Sequence, residues 1–302
     1  MLFRRVSLIA TVSTYFLIFI GGLVRVSGAG LGCPDWPKCF GRWIPPLSAH
    51  DLPPGFNAQT FNVTLAWIEY INRLIGVIVG FLILATAILA ILYFRKHRGI
   101  VIPAVLSAIL VAFQGWLGSV VVTSQLAPIM VSLHLIVALI IVSLLIYSTQ
   151  SSFHLQNGGL PKPLALHKNL RTWIVILWAI VLVQIILGTQ LRSQIETTLS
   201  QFPLLFGIEL IQRIGLINYV HSLFGITVTA LAVIIAFLLL RKEHFRLMGL
   251  AIIALPSVQV FTGSAMELFG LPALLQVFHL WIASLTVGLI LIIYSEVTYY
   301  QD

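Results

Sequence analysis

Eight long apolar stretches constrain this 302-residue chain more than any other feature of its sequence. A bilayer core is crossed by a helix of about 20 apolar residues, which is close to the length of each stretch. Only 9% of the residues are charged and the mean hydropathy is +1.05, so a soluble domain of this size would lack polar surface. The stretches are residues 6–26, 66–93, 100–123, 128–148, 172–192, 214–240, 247–266 and 271–295. We therefore expect an all-α integral membrane protein, not a disordered chain, a nucleic-acid-binding domain or a secreted disulfide scaffold.

The basic residues predict how these spans are oriented. An even number of spans places both termini on one side, and the basic connections fall on that side too. They contain Arg4, Arg5, Arg95, Lys96, Arg98, Lys162, Lys168, Arg171, Arg241, Lys242 and Arg246. Lysine and arginine collect in cytoplasmic loops, so we expect both termini in the cytoplasm of a prokaryotic cell and a first span that is retained rather than cleaved. The net charge of +8 is then a consequence of topology and predicts no nucleic-acid partner.

Both cysteines lie in the longest outer segment, residues 27–65. Because the outer compartment is oxidising, Cys33 and Cys39 are interpreted as a disulfide, with two free thiols as the alternative. A metal site there lacks further ligands, since His50 is the only histidine in the segment. A redox role for the pair stays open.

The first four spans and the last four contain related motifs. Gly21-x3-Arg25 recurs as Gly188-x3-Arg192, Gln114-x3-Gly118 recurs as Gln259-x3-Gly263, and His134 and His279 share the 145-residue offset of the glutamines. Four spans separate the copies, so the repeat is parallel rather than inverted. We expect two pseudo-symmetric four-helix bundles, residues 1–150 and 151–302.

One histidine lies near the outer end of each of spans 4, 6 and 8, where His134, His221 and His279 share one depth. Two neutral imidazoles facing each other across a bundle suit the axial positions of a haem iron, so His221 and His279 are predicted haem ligands. The alternative for each is a packing residue or a proton relay. Arg192 and Arg213 are candidates to pair with haem propionates. Solvated positions are expected for the other histidines, which are His50, His97, His154, His167 and His244.

Glu69 is a carboxylate at the start of an apolar span, on one helical face with Asn72 and Arg73. An ion pair with Arg73 is the simpler account. The second copy, however, has Asn218 and Ser222 in place of the two charges. We therefore favour a catalytic role for Glu69.

These residues resemble the haem A synthase family (COX15/CtaA type) over essentially the whole chain. The resemblance is carried by the Gly-rich stretch 21–33, the Trp36-Pro37-x-Cys39 motif, the segment from Glu69 to Arg73, and the histidines of spans 4, 6 and 8. The family has a histidine where this chain has Asn72, so no ligand role is assigned to that residue.

The resemblance implies an enzyme that oxidises a methyl group of haem O to the formyl group of haem A. It implies that haem b lies between His221 and His279, and that the N-terminal half holds the substrate haem, with His134 as its iron ligand and Glu69 as the essential carboxylate. Arg25 and Arg73 are propionate or structural partners by position. The resemblance also implies a Cys33–Cys39 disulfide and a homo-oligomer. The implied partners are membrane lipid, haem O synthase and an electron donor of unspecified identity.

Two other functions fit the same pattern. One is a dihaem b-type electron-transfer cytochrome without synthase activity, in which Glu69 is only an ion-pair partner. The other is a transporter built on a parallel repeat, in which the histidines relay protons.

Overall fold

The computed structural model describes residues 1–156, 168–205 and 207–299, and these residues form nine α-helices. The helices are α1 Leu2–Val26, α2 Val63–Phe94, α3 Arg98–Thr123, α4 Pro128–Gln156, α5 Lys168–Gln201, α6 Gly207–Ile214, α7 Leu216–Leu239, α8 Arg246–Leu268 and α9 Ala273–Tyr299. Short 3₁₀ turns cover Ala29–Leu31, Ala49–Asp51 and Glu243–Phe245. All helices except α6 are long and apolar enough to cross a membrane, so eight predicted spans within the described ranges are confirmed. Lys162 and His167 lie outside the described residues.

Some helices do not end where the predicted apolar stretches end, because polar residues continue the helix. The stretch 172–192 continues as α5 to Gln201, nine residues further than predicted. The stretch 214–240 begins at Leu216, because Gly215 adopts a φ of +75° that separates α6 from α7. At α2 the side chain of Asn62 caps the helix by accepting a hydrogen bond from the Leu65 N–H at 3.1 Å. Hydropathy locates the spans but not these polar extensions.

The eight long helices pack in two sets. In the first, α1 contacts α2, α2 contacts α3, α3 contacts α4, and α4 returns to α1. In the second, α5, α7, α8 and α9 contact one another in the same cyclic way. The largest buried apolar cluster joins the sets and includes Ile18, Leu139, Leu177, Ile235 and Val287.

Close packing of α1 against α9 fixes the two sets to each other. A methyl group built on Gly288 would lie 1.9 Å from the Tyr15 hydroxyl, so a larger residue there would displace the Tyr15 side chain. The indole N–H of Trp281 donates to the Tyr15 carbonyl at 3.1 Å. These contacts join the two sets of helices through α1 and α9.

The outer segment between α1 and α2 packs on the start of α2. Cys33 and Cys39 form a disulfide and are both buried, which confirms the predicted pairing. A methyl group on Gly32 would lie 2.3 Å from the Leu65 carbonyl oxygen, so the segment follows this path only with glycine there. Phe40 packs edge-on against Phe56, with ring centroids 5.3 Å apart, and so closes the segment over the disulfide.

Candidate functional site

The two histidines predicted as a pair lie next to each other in the second set of helices. His221 on α7 and His279 on α9 have ring centroids 6.4 Å apart and planes inclined by 54°. A metal bound between two imidazoles has nitrogen bonds of about 2 Å, which places the two ring centres about 6 Å apart. The observed separation therefore fits one metal ion between the rings, and the apolar helices around them suit a haem macrocycle.

The hydrogen bond at His279 indicates which of its nitrogens is available as a ligand. Its Nδ1 lies 2.9 Å from Oγ1 of Thr262, whose hydroxyl donates to the Val258 carbonyl at 2.8 Å. Because the Thr262 hydroxyl proton is already donated to the carbonyl, the hydroxyl oxygen accepts a hydrogen bond from Nδ1–H of His279. Nε2 of His279 then carries a free lone pair. This arrangement is typical of histidines whose second nitrogen binds a metal.

Each of the three span histidines is held by a glutamine. The side-chain amide of Gln114 donates to the His134 carbonyl at 2.8 Å, that of Gln184 to the His221 carbonyl at 2.9 Å, and that of Gln259 to the His279 carbonyl at 2.7 Å. A helix carbonyl that already accepts the N–H four residues further on keeps a second lone pair for the amide, and this hydrogen bond fixes the height at which the imidazole leaves its helix.

Each glutamine is followed four residues later by a glycine that lies against the imidazole. A methyl group on Gly118 would lie 3.5 Å from Cε1 of His134, one on Gly188 3.0 Å from Cε1 of His221, and one on Gly263 3.6 Å from Cε1 of His279. One Gln-x3-Gly face thus receives one histidine from the neighbouring helix. The sequence contains this motif three times, at Gln114, Gln184 and Gln259, but only the first and third were recognised as a repeat.

His134 lies in the first set of helices, apart from the pair. Its Nδ1 is buried and has no hydrogen-bond partner among the described residues. No cluster of three or more histidine, cysteine, aspartate or glutamate side chains suited to a metal ion occurs in the described ranges. The candidate donors in the described ranges are therefore single histidines, which are His134 in the first set and His221 and His279 in the second.

Glu69 is buried beneath the outer segment, with its side chain 5% exposed. Its Oε2 accepts the backbone N–H of Cys33 at 2.8 Å, and its Oε1 accepts both Nε and Nη2 of Arg73, the former at 3.1 Å. The ion pair expected as the simpler account is therefore present. Glu69 is a desolvated carboxylate whose orientation is fixed from two sides, a suitable arrangement for a charge that acts on a bound group.

Arg73 connects this carboxylate to the cysteine loop. Its Nη1 donates to the carbonyls of Asp35 at 2.8 Å and Lys38 at 2.9 Å, and its Nη2 donates to that of Cys33 at 3.4 Å. The disulfide loop, Arg73 and Glu69 therefore form one hydrogen-bonded unit at the outer end of α2.

The repeat-related arginines Arg25 and Arg192 meet at one carboxylate. Nη2 of Arg25 lies 2.5 Å from Oε2 of Glu196, and Nε of Arg192 lies 3.0 Å from its Oε1. Glu196 was not predicted, because it lies on the part of α5 that extends beyond the apolar stretch. The third arginine, Arg213 on α6, places its guanidinium 3.9 Å from the centre of the Phe202 ring and away from this group.

The expectation of a solvated His154 is wrong. α4 continues past the apolar stretch to Gln156, and Nε2 of His154 lies 3.3 Å from Oε1 of Glu296 on α9. Nε2 of His244 lies 3.5 Å from Oε2 of the same glutamate, although this histidine is exposed as expected. Glu296 thus links α9 to both histidines at the end of the helices opposite the cysteine loop.

Comparison with known proteins shows to which family the chain is similar. Residues 4–291 match the COX15-CtaA family, described as cytochrome oxidase assembly protein. Heme A synthase of Rickettsia prowazekii is 24% identical over 94% of both chains. Heme A synthase of Wolbachia pipientis wMel is 23% identical over 90% of this chain and 85% of its own. Heme A synthase of Shewanella oneidensis is 36% identical over 46% of this chain, a match that spans 42% of that protein.

The family match extends from α1 into α9 and includes the three span histidines, their glutamines, Glu69, Arg73 and the Arg25–Arg192–Glu196 group. The chain belongs to the COX15-CtaA family of cytochrome oxidase assembly proteins.

Proposed function

We propose that this protein is a haem A synthase, a membrane oxidoreductase that converts haem O to haem A. The family match over residues 4–291 and the relatives of nearly full length support this activity. The structural observation that carries it is the His221–His279 pair, whose ring separation of 6.4 Å fits a bis-histidine haem.

The two sets of helices are pseudo-symmetric halves with different roles. Residues 1–150 hold the substrate, and residues 151–302 hold the cofactor. The repeated Gln-x3-Gly faces and their histidines support this division, because they occur in both halves.

In the second half, His221 and His279 hold the iron of haem b. Haem b supplies one-electron transfer when bound, which suits an iron with two protein ligands. Gln184 and Gln259 fix the two ligand-bearing turns, and Thr262 fixes the tautomer of His279. Arg192 and Arg213 are the proposed partners of its propionates, with Arg192 oriented by Glu196.

In the first half, His134 binds the iron of the substrate haem O. Two successive hydroxylations of one ring methyl by an external oxidant would give a gem-diol, and loss of one water from it would give the formyl group, a four-electron oxidation of that carbon. Glu69 stabilises positive charge that develops near this methyl, or holds a proton there, because its carboxylate is desolvated and fixed by Arg73 and the Cys33 N–H. Arg25 and Arg73 serve as propionate or structural partners.

Apart from its propionates the substrate is hydrophobic, so it enters from membrane lipid. The basic connections support a prokaryotic cell membrane with both termini in the cytoplasm. A homo-oligomer, delivery of haem O by its synthase and a separate electron donor are the proposed partners of the reaction.

The Glu69→Gln variant tests the activity and the assignment of Glu69 together. In membranes that contain haem O and no other source of haem A, the wild type should form haem A. Glu69→Gln should form it at least about 100-fold more slowly, because it removes a charge that acts on the reacting group. Glu267→Gln is the matched control. Glu267 is an exposed carboxylate on α8, and it contacts Asn218, which is the residue that corresponds to Glu69 in the repeat. This variant should retain the wild-type rate.

A dihaem electron-transfer cytochrome is the second candidate, and the Glu69–Arg73 ion pair favours it, since both carboxylate oxygens already have partners. Normal haem A formation by Glu69→Gln would show that this residue is structural. A wild-type protein that binds haem but forms no haem A would establish the cytochrome instead.

A further inference from the structure

A fourth Gln-x3-Gly face is missing at the place where the repeat predicts it. The 167-residue offset that relates Arg25 to Arg192 places Gln184 on Leu17 and Gly188 on Gly21. The 149-residue offset that relates Gly76 to Gly225 places His221 on Asn72. The first half therefore keeps the glycine as Gly21, but it has Leu17 in place of the glutamine and Asn72 in place of the histidine.

Packing confirms that Leu17 takes the place of the glutamine. A methyl group on Gly225 would lie 3.3 Å from Nε2 of Gln184, and one on Gly76 would lie 4.0 Å from Cδ2 of Leu17. Leu17 and Gln184 therefore lie against equivalent glycines of α2 and α7. Leucine has no donor for the Asn72 carbonyl, so the hydrogen bond that fixes the other three positions is lost here.

The two replacements leave space over Gly21. The three kept histidines lie within 3.0–3.6 Å of a methyl group built on their glycines, but a methyl group on Gly21 has no described atom within 4 Å. On α2, one turn before the Gly76 that faces Leu17, Oδ1 of Asn72 is buried and has no hydrogen-bond partner among the described residues. An amide oxygen in that state is an acceptor for a small donor molecule.

We propose that Leu17, Gly21 and Asn72 form a small-ligand site, which keeps the iron of the substrate haem free of a second protein ligand and admits a water-sized or imidazole-sized donor beside Asn72. Leu17 and Asn72 determine the specificity of this site, because they stand where the other half has Gln184 and the ligand His221. The proposal rests on the proposed function, since the substrate haem is held by His134.

The spin state of the iron tests the proposal without an activity assay. The full-length protein is purified with haem b and loaded with haem O, and its electron paramagnetic resonance spectrum is recorded. The wild type should show one low-spin haem, from the His221–His279 site, and an equal amount of high-spin haem. Asn72→His combined with Leu17→Gln should convert the high-spin signal into a second low-spin one, and Asn72→His alone should convert it less completely.

Imidazole is the probe for the open space. Titration with imidazole should convert the wild-type high-spin signal to low-spin, and the double variant should not respond. Gly21→Val fills the space and should weaken imidazole binding by about tenfold or more. Gly80→Val is the matched control, because Gly80 on α2 also has no described atom within 4 Å, and it should leave the titration unchanged.

Two low-spin haems in the wild type, or a high-spin signal that imidazole leaves unchanged, would overturn the proposal while haem A formation continued. A protein that binds haem only in its second half would contradict the proposed function itself. The two failures are therefore distinguishable.

Discussion

Glutamine side chains set the height of three imidazoles by the same contact, a donated hydrogen bond to the histidine's own carbonyl. Such a bond contributes about 1 kcal/mol to stability, but its larger effect is on orientation. A ligand that is free to tilt loses part of its affinity for the metal. The sequence contains this information as a spacing, yet the partner of each glutamine is a backbone atom on another helix.

Gln184→Leu tests this contact, because it introduces the residue that the first half already has at the equivalent position. The His221 turn then loses its amide donor, and haem b affinity should fall by about 10-fold to 100-fold. The measurement is haem b retained per chain after extended dialysis against a haem-binding protein. Gln194→Leu, at an exposed position of the same helix, is the control and should retain wild-type haem. Equal retention by both variants would show that the glutamine has no part in ligation.

At the scale of the elements, the distance between a glycine and the imidazole on the neighbouring helix decides whether a larger residue fits at the glycine. Gly188 is the tightest of the three glycines, since a methyl group there would lie 3.0 Å from Cε1 of His221, whereas the distance at Gly263 is 3.6 Å. Contacts between 3.0 and 3.4 Å force a neighbour to move, and those beyond 3.4 Å are ordinary packing. Substitution by alanine should therefore have different outcomes at Gly188 and at Gly263.

Gly188→Ala should displace His221 and reduce the low-spin haem signal of the second half. Gly263→Ala should leave that signal unchanged and should not destabilise α8, because alanine is the better helix former by about 0.5–1 kcal/mol. Both are measured by paramagnetic resonance on purified protein. A loss of similar size in the two variants would contradict the role assigned to the closer contact.

The eight spans could be predicted from hydropathy, because the bilayer selects long apolar helices. The extension of α5 to Gln201 could not, since its residues are polar, and Glu196 was missed with it. The histidine pair was predicted from matched depth in the repeat, and the two rings do lie next to each other, with centroids 6.4 Å apart. The fixed orientation of Glu69 depends on the Cys33 N–H and on the path of the outer segment, which no local pattern encodes.

At the scale of the whole molecule, the two sets of helices are joined by polar contacts near both ends. Glu196 on α5 holds Arg25 of α1, and Glu296 on α9 holds His154 of α4. Between them, Tyr15 packs against Gly288. Under the proposed function, the substrate and cofactor sites joined in this way keep a fixed separation, which suits electron transfer between them.

Protease accessibility tests the orientation proposed from the basic connections. A cleavage site inserted in the exposed turn at residues 57–60 should be cut from outside intact spheroplasts. A site inserted beside Lys242, in the exposed connection between α7 and α8, should be cut only after the membrane is opened. The reverse pattern would place both termini outside and invert the topology.

The most direct test of the central claim is the haem content of the full-length protein, purified from membranes that supply haem O and separated by chromatography after acid extraction. The account predicts haem b together with haem O or haem A, one for each half of the molecule. Folded protein that contains no haem, or haem b alone, would contradict it.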